Sequence, residues 1–245
     1  MKDSNKSLTP GAVIIFGPPG GGKTTQALLL EKKTGFISFN TGGILERIVH
    51  DPEKQDDPAI LQARKDFDEG RLMDPSFVLG IIGERIRAHA QQGEGLIFGS
   101  NPRRMEEAFG TDHDEGLMDI LTAVFPKESI LVVEIAVSPE ISIQRNTHRK
   151  VCSSCQTPVI DPHLLRGVEE LSQCTLCGGE LQTRTLDDPS IIHVRLDAYT
   201  KHTLPIIQAL QTQGYPYKKI DGDKLPFQVF NDIYSFVHDS LKKQE

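Results

Sequence analysis

The stretch AVIIFGPPGGGKTT, residues 12–25, decides the fold. Five consecutive apolar residues read as a short buried strand; a Gly- and Pro-rich run breaks it, and KTTQALLLEKKTG then continues as a helix. Gly17, Gly22, Lys23 and Thr24 fill the fixed positions of G-x-x-x-x-G-K-[ST]. The chemistry requires those types. Glycines let backbone N–H groups curl around phosphate oxygens without Cβ clashes, and the helix that starts near Lys23 turns its positive dipole end toward the same oxygens. Lys23 brings a mobile charge to the outer phosphates, and Thr24 offers a hydroxyl toward magnesium. The motif sits between a strand and a helix, as the mechanism demands, so this end of the chain is predicted to hold a nucleotide.

Outward from that point, GFISFN reads as a second strand and TGGILERIV as the opening of a helix, while residues 50–69, polar and acidic, suggest an exposed helix pair. DPSFVLGIIGERIRAHAQQG has helical apolar spacing, with Asp74 as N-cap and Pro75 at the first helical position. GLIFGS and SILVVEIAV are further buried strands and YKKID a last one; SPEISIQRNTHRK and IIHVRLDAYTKHTLPIIQALQTQG read as long helices. Strands alternating with helices predict an α/β fold with a doubly wound parallel sheet. The 245 residues fit one large domain, or a core with small inserts, and the net charge of −7 argues against broad nucleic-acid binding. No apolar run reaches the length of a membrane span, and MKDSNKSLTPG carries no apolar h-region, so a cytoplasmic, monomeric protein without membrane partners is expected.

Between 150 and 186 the apolar periodicity lapses and all four cysteines appear. Cys152-x2-Cys155 and Cys174-x2-Cys177 form two knuckles with 18 residues between them, a spacing that suits a closed four-thiolate site. Such a site has no open position, so the metal, zinc by preference, is structural. The unit has too few apolar residues for a core of its own, and zinc would supply the missing folding energy. Arginines flank it: Arg145 and Arg149 lie four apart on one helix face just before, Arg184 and Arg195 just after, and Arg103 stands near the end of the run LIFGSNPRR. Planar guanidinium forks near a phosphate cradle suit a polyanion and can offset charge during its transfer.

Taken together these motifs resemble the adenylate kinase family of nucleoside monophosphate kinases, in its long form with a zinc-bearing lid, over nearly the whole chain. The family's GxPGxGKGT loop is matched by GPPGGGKTT, its STGD turn by NTGG (40–43), its GKLV segment by GRLM (70–73) and its DGFPR stretch by GSNPR (99–103). RNTHRKVC resembles the lid entry, RTLDDPSIIHVRL the lid exit and IDGDK a late VDGxx segment. The resemblance implies a P-loop core (1–40, 71–150 and 187–245), an NMP-binding helical insert (41–70) and a zinc-binding lid (151–186). It further implies phosphoryl transfer from Mg-ATP to a nucleoside monophosphate, AMP by default. ATP would meet Gly17, Gly20, Gly22, Lys23, Thr24, Thr25, Arg145 and Lys224. The acceptor would meet Thr41, Gly42, Arg47, Arg71, Met73, Asn101, Arg103 and Glu107. Lys23, Arg103, Arg149, Arg184 and Arg195 would carry the transfer.

The departures gather on the acceptor side. Gly99 and Gly43 replace two aspartates that organise magnesium's water shell in the family, and Glu46 stands where the family has an arginine, with Arg47 one step away. Glu107 falls where a glutamine reads adenine; a carboxylate accepts but does not donate, which suits N–H groups such as those on guanine's Watson–Crick edge. Two alternatives stay open beside AMP phosphorylation: a changed base preference, GMP for example, and a degenerate kinase that closes over ATP and regulates through that motion. Asp187, Asp188 and Glu46 are the acids available to stand in for the missing pair.

Overall fold

A computed structural model describes residues 8–54, 56–99, 101–155, 158–159, 171–174, 177–183 and 187–242. In chain order the first part runs β1 (Ala12–Phe16), α1 (Lys23–Thr34), β2 (Ile37–Phe39), α2 (Thr41–Val49), α3 (Pro58–Asp68), α4 (Pro75–Gln91), β3 (Leu96–Phe98), α5 (Met105–Phe109), α6 (Leu117–Thr122), β4 (Ile130–Ala136) and α7 (Pro139–Thr147). Three short strands follow, β5 (Lys150–Cys152), β6 (Pro158–Val159) and β7 (Leu181–Gln182). The chain then returns through α8 (Pro189–Ala198), α9 (Leu204–Thr212), β8 (Tyr217–Asp221) and α10 (Pro226–Leu241).

Five strands form one sheet in the order β2-β3-β1-β4-β8, every pair parallel. A wholly parallel sheet must be covered on both faces, which is why AVIIF shows no polar alternation. Its residues nonetheless part by face. Ala12, Ile14 and Phe16 join Leu96, Phe98, Ile130 and Val132 in a core layer with Val78, Ile82 and Ile86 of α4, Leu117 and Leu121 of α6, and Ile206 and Leu210 of α9. Val13 and Ile15 join Ile97, Leu131, Val133 and Ile135 in the other layer, with Ala27 and Leu30 of α1 and Val229, Ile233 and Val237 of α10. β1 lies between β3 and β4, so the strand order reverses at its C-terminal end; that crevice is where open α/β sheets take ligands. Residues 17–22 leave β1 there. The fold is that of a P-loop NTPase.

Two helical expectations change. Residues 50–69 hold one α-helix, α3, not a pair: Asp57 caps it by accepting from the Ala59 N–H (2.8 Å) ahead of Pro58, and the acidic residues before it give only a 3-10 turn at Pro52–Lys54. The long helix expected from Ile191 to Gly214 is continuous through Thr212 but not regular. A π turn, Tyr199–Thr203, separates α8 from α9 just before Pro205, whose ring and missing N–H exclude it from a regular helix interior. Asp74 caps α4 as expected, accepting from Phe77 N–H at 3.0 Å. Among the described residues no helix is long and apolar enough to cross a membrane.

Candidate functional site

The loop after β1 is shaped by what its glycines leave out. Gly20 has φ 74° and Gly22, at the start of α1, φ 80°, both left-handed. A Cβ on Gly20 would lie 2.5 Å from Asn146 Nδ2 and 2.9 Å from the Ser142 carbonyl, so the loop rests directly on α7. Ser142 and Asn146, both fully buried, hold that contact: the Ser142 hydroxyl donates to the Pro19 carbonyl, and Asn146 Nδ2 donates to Ser142 O at 2.8 Å. The helix that leads into the cysteine unit is thereby fixed to the phosphate loop. Lys23 folds back under the loop, Nζ donating to the carbonyls of Gly17 and Pro18, both at 2.8 Å. Burial there lowers its ionisation well below the usual lysine range, and Arg103, Arg195 and Arg149 lower it further by charge repulsion. Four cations therefore converge on one place.

Two of those cations are held by an acid that the sequence offers only as a stand-in for a missing aspartate. Asp187, completely buried, accepts from Arg149 Nε (2.9 Å) and Nη2 (2.6 Å) in a fork-to-fork pair, and Arg195 Nη1 stands 3.9 Å from the same carboxylate. Asp187 is thus committed to aiming guanidiniums and does not replace a missing acid. Asp188 caps α8, accepting from the Ser190 N–H at 2.9 Å. Gly70 (φ 70°) lets α8 come close: a Cβ there would lie 2.5 Å from Ile191 Cγ2 and 3.2 Å from Arg195 Cγ.

One continuous cavity of about 520 Å3 runs from this loop to α2 and α5. At the loop end its wall includes Gly20, Gly22, Lys23, Thr24, Thr25, Arg145, Lys224 and Leu225, with Arg103, Arg149 and Arg195 at the middle and Pro158 and Val159 of the small sheet above. Arg145 is steadied by donating to Gly222 O at 2.9 Å, and Lys224 pairs with Asp232 at 2.9 Å.

At the α2 end the wall includes Thr41, Gly42, Met73, Gly99, Asn101 and Glu107. Asn40 caps α2 by accepting from Gly43 N–H at 3.2 Å, and a Cβ on Gly43 would lie 2.7 Å from Asn40 Nδ2. The Asn40 carboxamide occupies the space an acid at 43 would need. At Gly99 a Cβ would meet Ala27 Cβ at 3.3 Å. Arg71 reaches the wall but is bound to Asp66 (3.0 Å) and Glu69. Arg47 does not reach it; its Nε donates to Gly43 O at 3.2 Å on the exposed side of α2. Arg184 lies outside the described residues. Of the nucleotide-site candidates the structure therefore gathers all but Gly17, Arg47 and Arg184 about one cavity, counting the described residues alone; Gly17 lines a smaller neighbouring one with Lys23, Asn101, Arg103 and Arg195.

The small sheet, ordered β6-β5-β7, holds Cys152 at the end of β5, and the other three cysteines lie outside its strands. All four Sγ atoms lie within 4.8 Å of one another; Cys152 and Cys177 are 3.4 Å apart, Cys155 and Cys174 3.7 Å. A tetrahedral ion with bonds of about 2.3 Å to sulfur sets its ligands roughly 3.8 Å apart, so the quartet fits such an ion. The Cys155 N–H donates to Cys152 Sγ at 3.4 Å, which helps to hold charge on that sulfur.

A glycine loop at the switch point of a parallel sheet, backed by convergent cations, defines a nucleotide phosphotransferase of the P-loop class. The comparisons with known proteins narrow it. The family model described as adenylate kinase matches residues 15–215. Among similar proteins, an adenylate kinase of Clostridium botulinum (strain Loch Maree / Type A3) is 29% identical over 228 residues, 92% of this chain and 97% of its own. One of Desulforamulus reducens is 30% identical over 90% of this chain and 97% of its own, and one of Pelobacter propionicus 32% identical over 86% and 89%. The chain belongs to the adenylate kinase family and is a nucleoside monophosphate kinase.

Proposed function

We propose that the protein moves the γ-phosphoryl group of ATP to the α-phosphate of a nucleoside monophosphate, giving two diphosphates. The observation that carries this reading is that Lys23, Arg103, Arg149 and Arg195 line one cavity; burial first, and the three guanidinium charges after it, lower the lysine's ionisation there. Such an array is unfavourable while empty and becomes favourable around phosphates, and positioning with charge neutralisation is most of what phosphoryl transfer asks of a protein. ATP lies along the loop end, with its phosphates on the amides of 20–24 and Arg145 and Lys224 flanking its nucleoside. The acceptor lies between Thr41 and Glu107, and its phosphate meets Arg103. The bond from the β–γ bridging oxygen to phosphorus breaks as one from an acceptor oxygen forms. Thr24, on the cavity wall at the first turn of α1, is the hydroxyl that would face magnesium; when bound, that ion neutralises phosphate charge.

The 41–70 insert and the 151–186 unit serve as flap and lid, closing to exclude water. The four sulfurs hold zinc, which gives the lid the stability its few apolar residues do not. Treating the protein with a strong chelator is expected to release one zinc per chain, speed proteolysis within 151–186 and lower the melting temperature; unchanged metal content and melting would refute zinc binding. The relatives' name makes AMP the first acceptor to assay, while the carboxyl of Glu107 favours a second reading with a different base. Mg-ATP mixed with each monophosphate should yield diphosphates. No turnover with any acceptor, together with tight ATP binding, would point instead to a protein that closes over nucleotide and regulates.

A further inference from the structure

The smaller cavity, about 50 Å3, shares Lys23, Arg103 and Arg195 with the larger one, and one helical run supplies much of its wall: Arg195 and Ala198 of α8, then Tyr199 and Thr203 of the π turn. A regular α-helix would not aim all of these the same way. At about 100° per residue, Thr203 would point about 80° away from Arg195. The π turn changes that phase. The Leu204 N–H donates to the Tyr199 carbonyl, five residues back, so one residue is absorbed in the wider turn. The remaining steps sum to about 700°, which returns Thr203 to within about 20° of Arg195. Both side chains then meet the same cavity.

Thr203 is 7% exposed, and its hydroxyl donates to the Arg103 carbonyl at 3.2 Å. On the other side of the same residue, the Arg103 N–H donates to the Glu107 carboxylate at 2.8 Å. The backbone of Arg103 is thus held at both of its polar groups by side chains from distant elements, and its guanidinium starts from a fixed place. We propose that Thr203 is a positioning residue for phosphoryl transfer: phased by the π turn onto the face of Arg195, it sets where Arg103 stands relative to that second guanidinium. This rests on the kinase reading above, in which Arg103 meets the acceptor's phosphate. A charge displaced by about 1 Å from the reacting group can cost about 10²-fold in rate, so one backbone anchor matters. The anchor is not what seats the helix. Ile206, Ile207 and Leu210 bury α9 in the core without it, so its loss falls on Arg103.

The test is a double-mutant cycle with two readouts: kcat and KM with Mg-ATP and each monophosphate, and calorimetric binding of diadenosine pentaphosphate, which mimics both substrates at once. T203V removes the donor and keeps the shape; it should lower kcat about 10-fold and pentaphosphate affinity about fivefold, with little change in affinity for a non-hydrolysable ATP analogue alone. T203S, which keeps the hydroxyl, should recover most of both. R103A should be slower still, and adding T203V to it should cost nothing more, because Thr203 acts through Arg103. A T203V loss that persists undiminished beside R103A overturns the proposal, as does a T203S as impaired as T203V or a T203V as fast as the native protein. If no monophosphate is turned over, the kinase reading falls, and the Thr203–Arg103 coupling in pentaphosphate affinity, present or absent, still decides for or against Thr203.

Discussion

The two ends of the cavity are finished to different degrees. At the loop end the functional groups are tied to neighbours: Lys23 to two carbonyls, Ser142 to Pro19, Arg149 to both oxygens of Asp187, Arg145 to Gly222. At the α2 end the difference lies in the residues themselves: by the resemblance, Gly43 and Gly99 stand where the family has acids and Glu107 where it has a glutamine. Phosphate chemistry is common to every member of such a family, so the loop end admits few arrangements. On the acceptor side the two glycines fit their surroundings. Asn40 fills the space over Gly43, and Ala27 leaves little over Gly99.

The sharpest way to break this contrast is at the loop end. Lys23→Met should reduce kcat by roughly 10³-fold or more, since it removes a charge made for the transfer; a loss below tenfold would show that the arginines suffice. Asp187→Asn keeps the shape but removes the charge that aims Arg149 and Arg195. It should cost roughly 10²-fold in kcat with little change in ATP affinity. Equal losses in binding and rate would mean that Asp187 only stabilises the fold.

At the α2 end the expected effects are smaller. Gly99→Asp must displace Ala27 by a few tenths of an ångström, and combining it with Ala27→Gly gives the acid room. The double variant should raise the rate roughly two- to fivefold when magnesium is limiting, as expected if the missing acid had ordered that ion's waters. An unchanged rate would show that Asn40 and its neighbours have replaced that function. The smallest effect is on stability. Burial raises the folded-state ionisation of Glu107, so the folded chain holds its proton to higher pH than the unfolded chain does. Stability should therefore fall as pH rises from the ordinary carboxyl range through the raised value, and E107Q should flatten that part of a denaturation–pH profile. Identical profiles would mean that the carboxyl is solvated after all.

Much of the loop end was legible because its requirements are local. A strand, six loop residues and a helix are contiguous in sequence, and G-x-x-x-x-G-K-[ST] encodes phosphate geometry directly. The cysteine spacing is local in the same way. What sequence reading missed is chiefly which of its residues pair across distant segments. Asp187 lies 38 residues from Arg149, and Asn101 lies 60 from Thr41. Ser142 and Asn146 show no motif, only an i, i+4 pair of small polar residues on the helix that bears Arg145 and Arg149. Arg47 looked suitable by type and proximity, but one residue along a helix turns a side chain by about 100°, enough to leave the cavity wall. The π turn could have been expected from Pro205, and α10, whose apolar residues 229, 233, 237 and 241 recur every four, follows from its own spacing.

The central claim is that one cavity holds two nucleotides end to end, with their phosphates meeting among Lys23, Arg103, Arg149 and Arg195. A crystal structure with a bisubstrate mimic, adenosine joined through five phosphates to a second nucleoside, tests it most directly. Phosphate density should run from the amides of residues 20–24 to Arg103, with the second base against Asn101 and Glu107. Phosphates bound away from Lys23, or a second nucleoside outside the cavity, would contradict it.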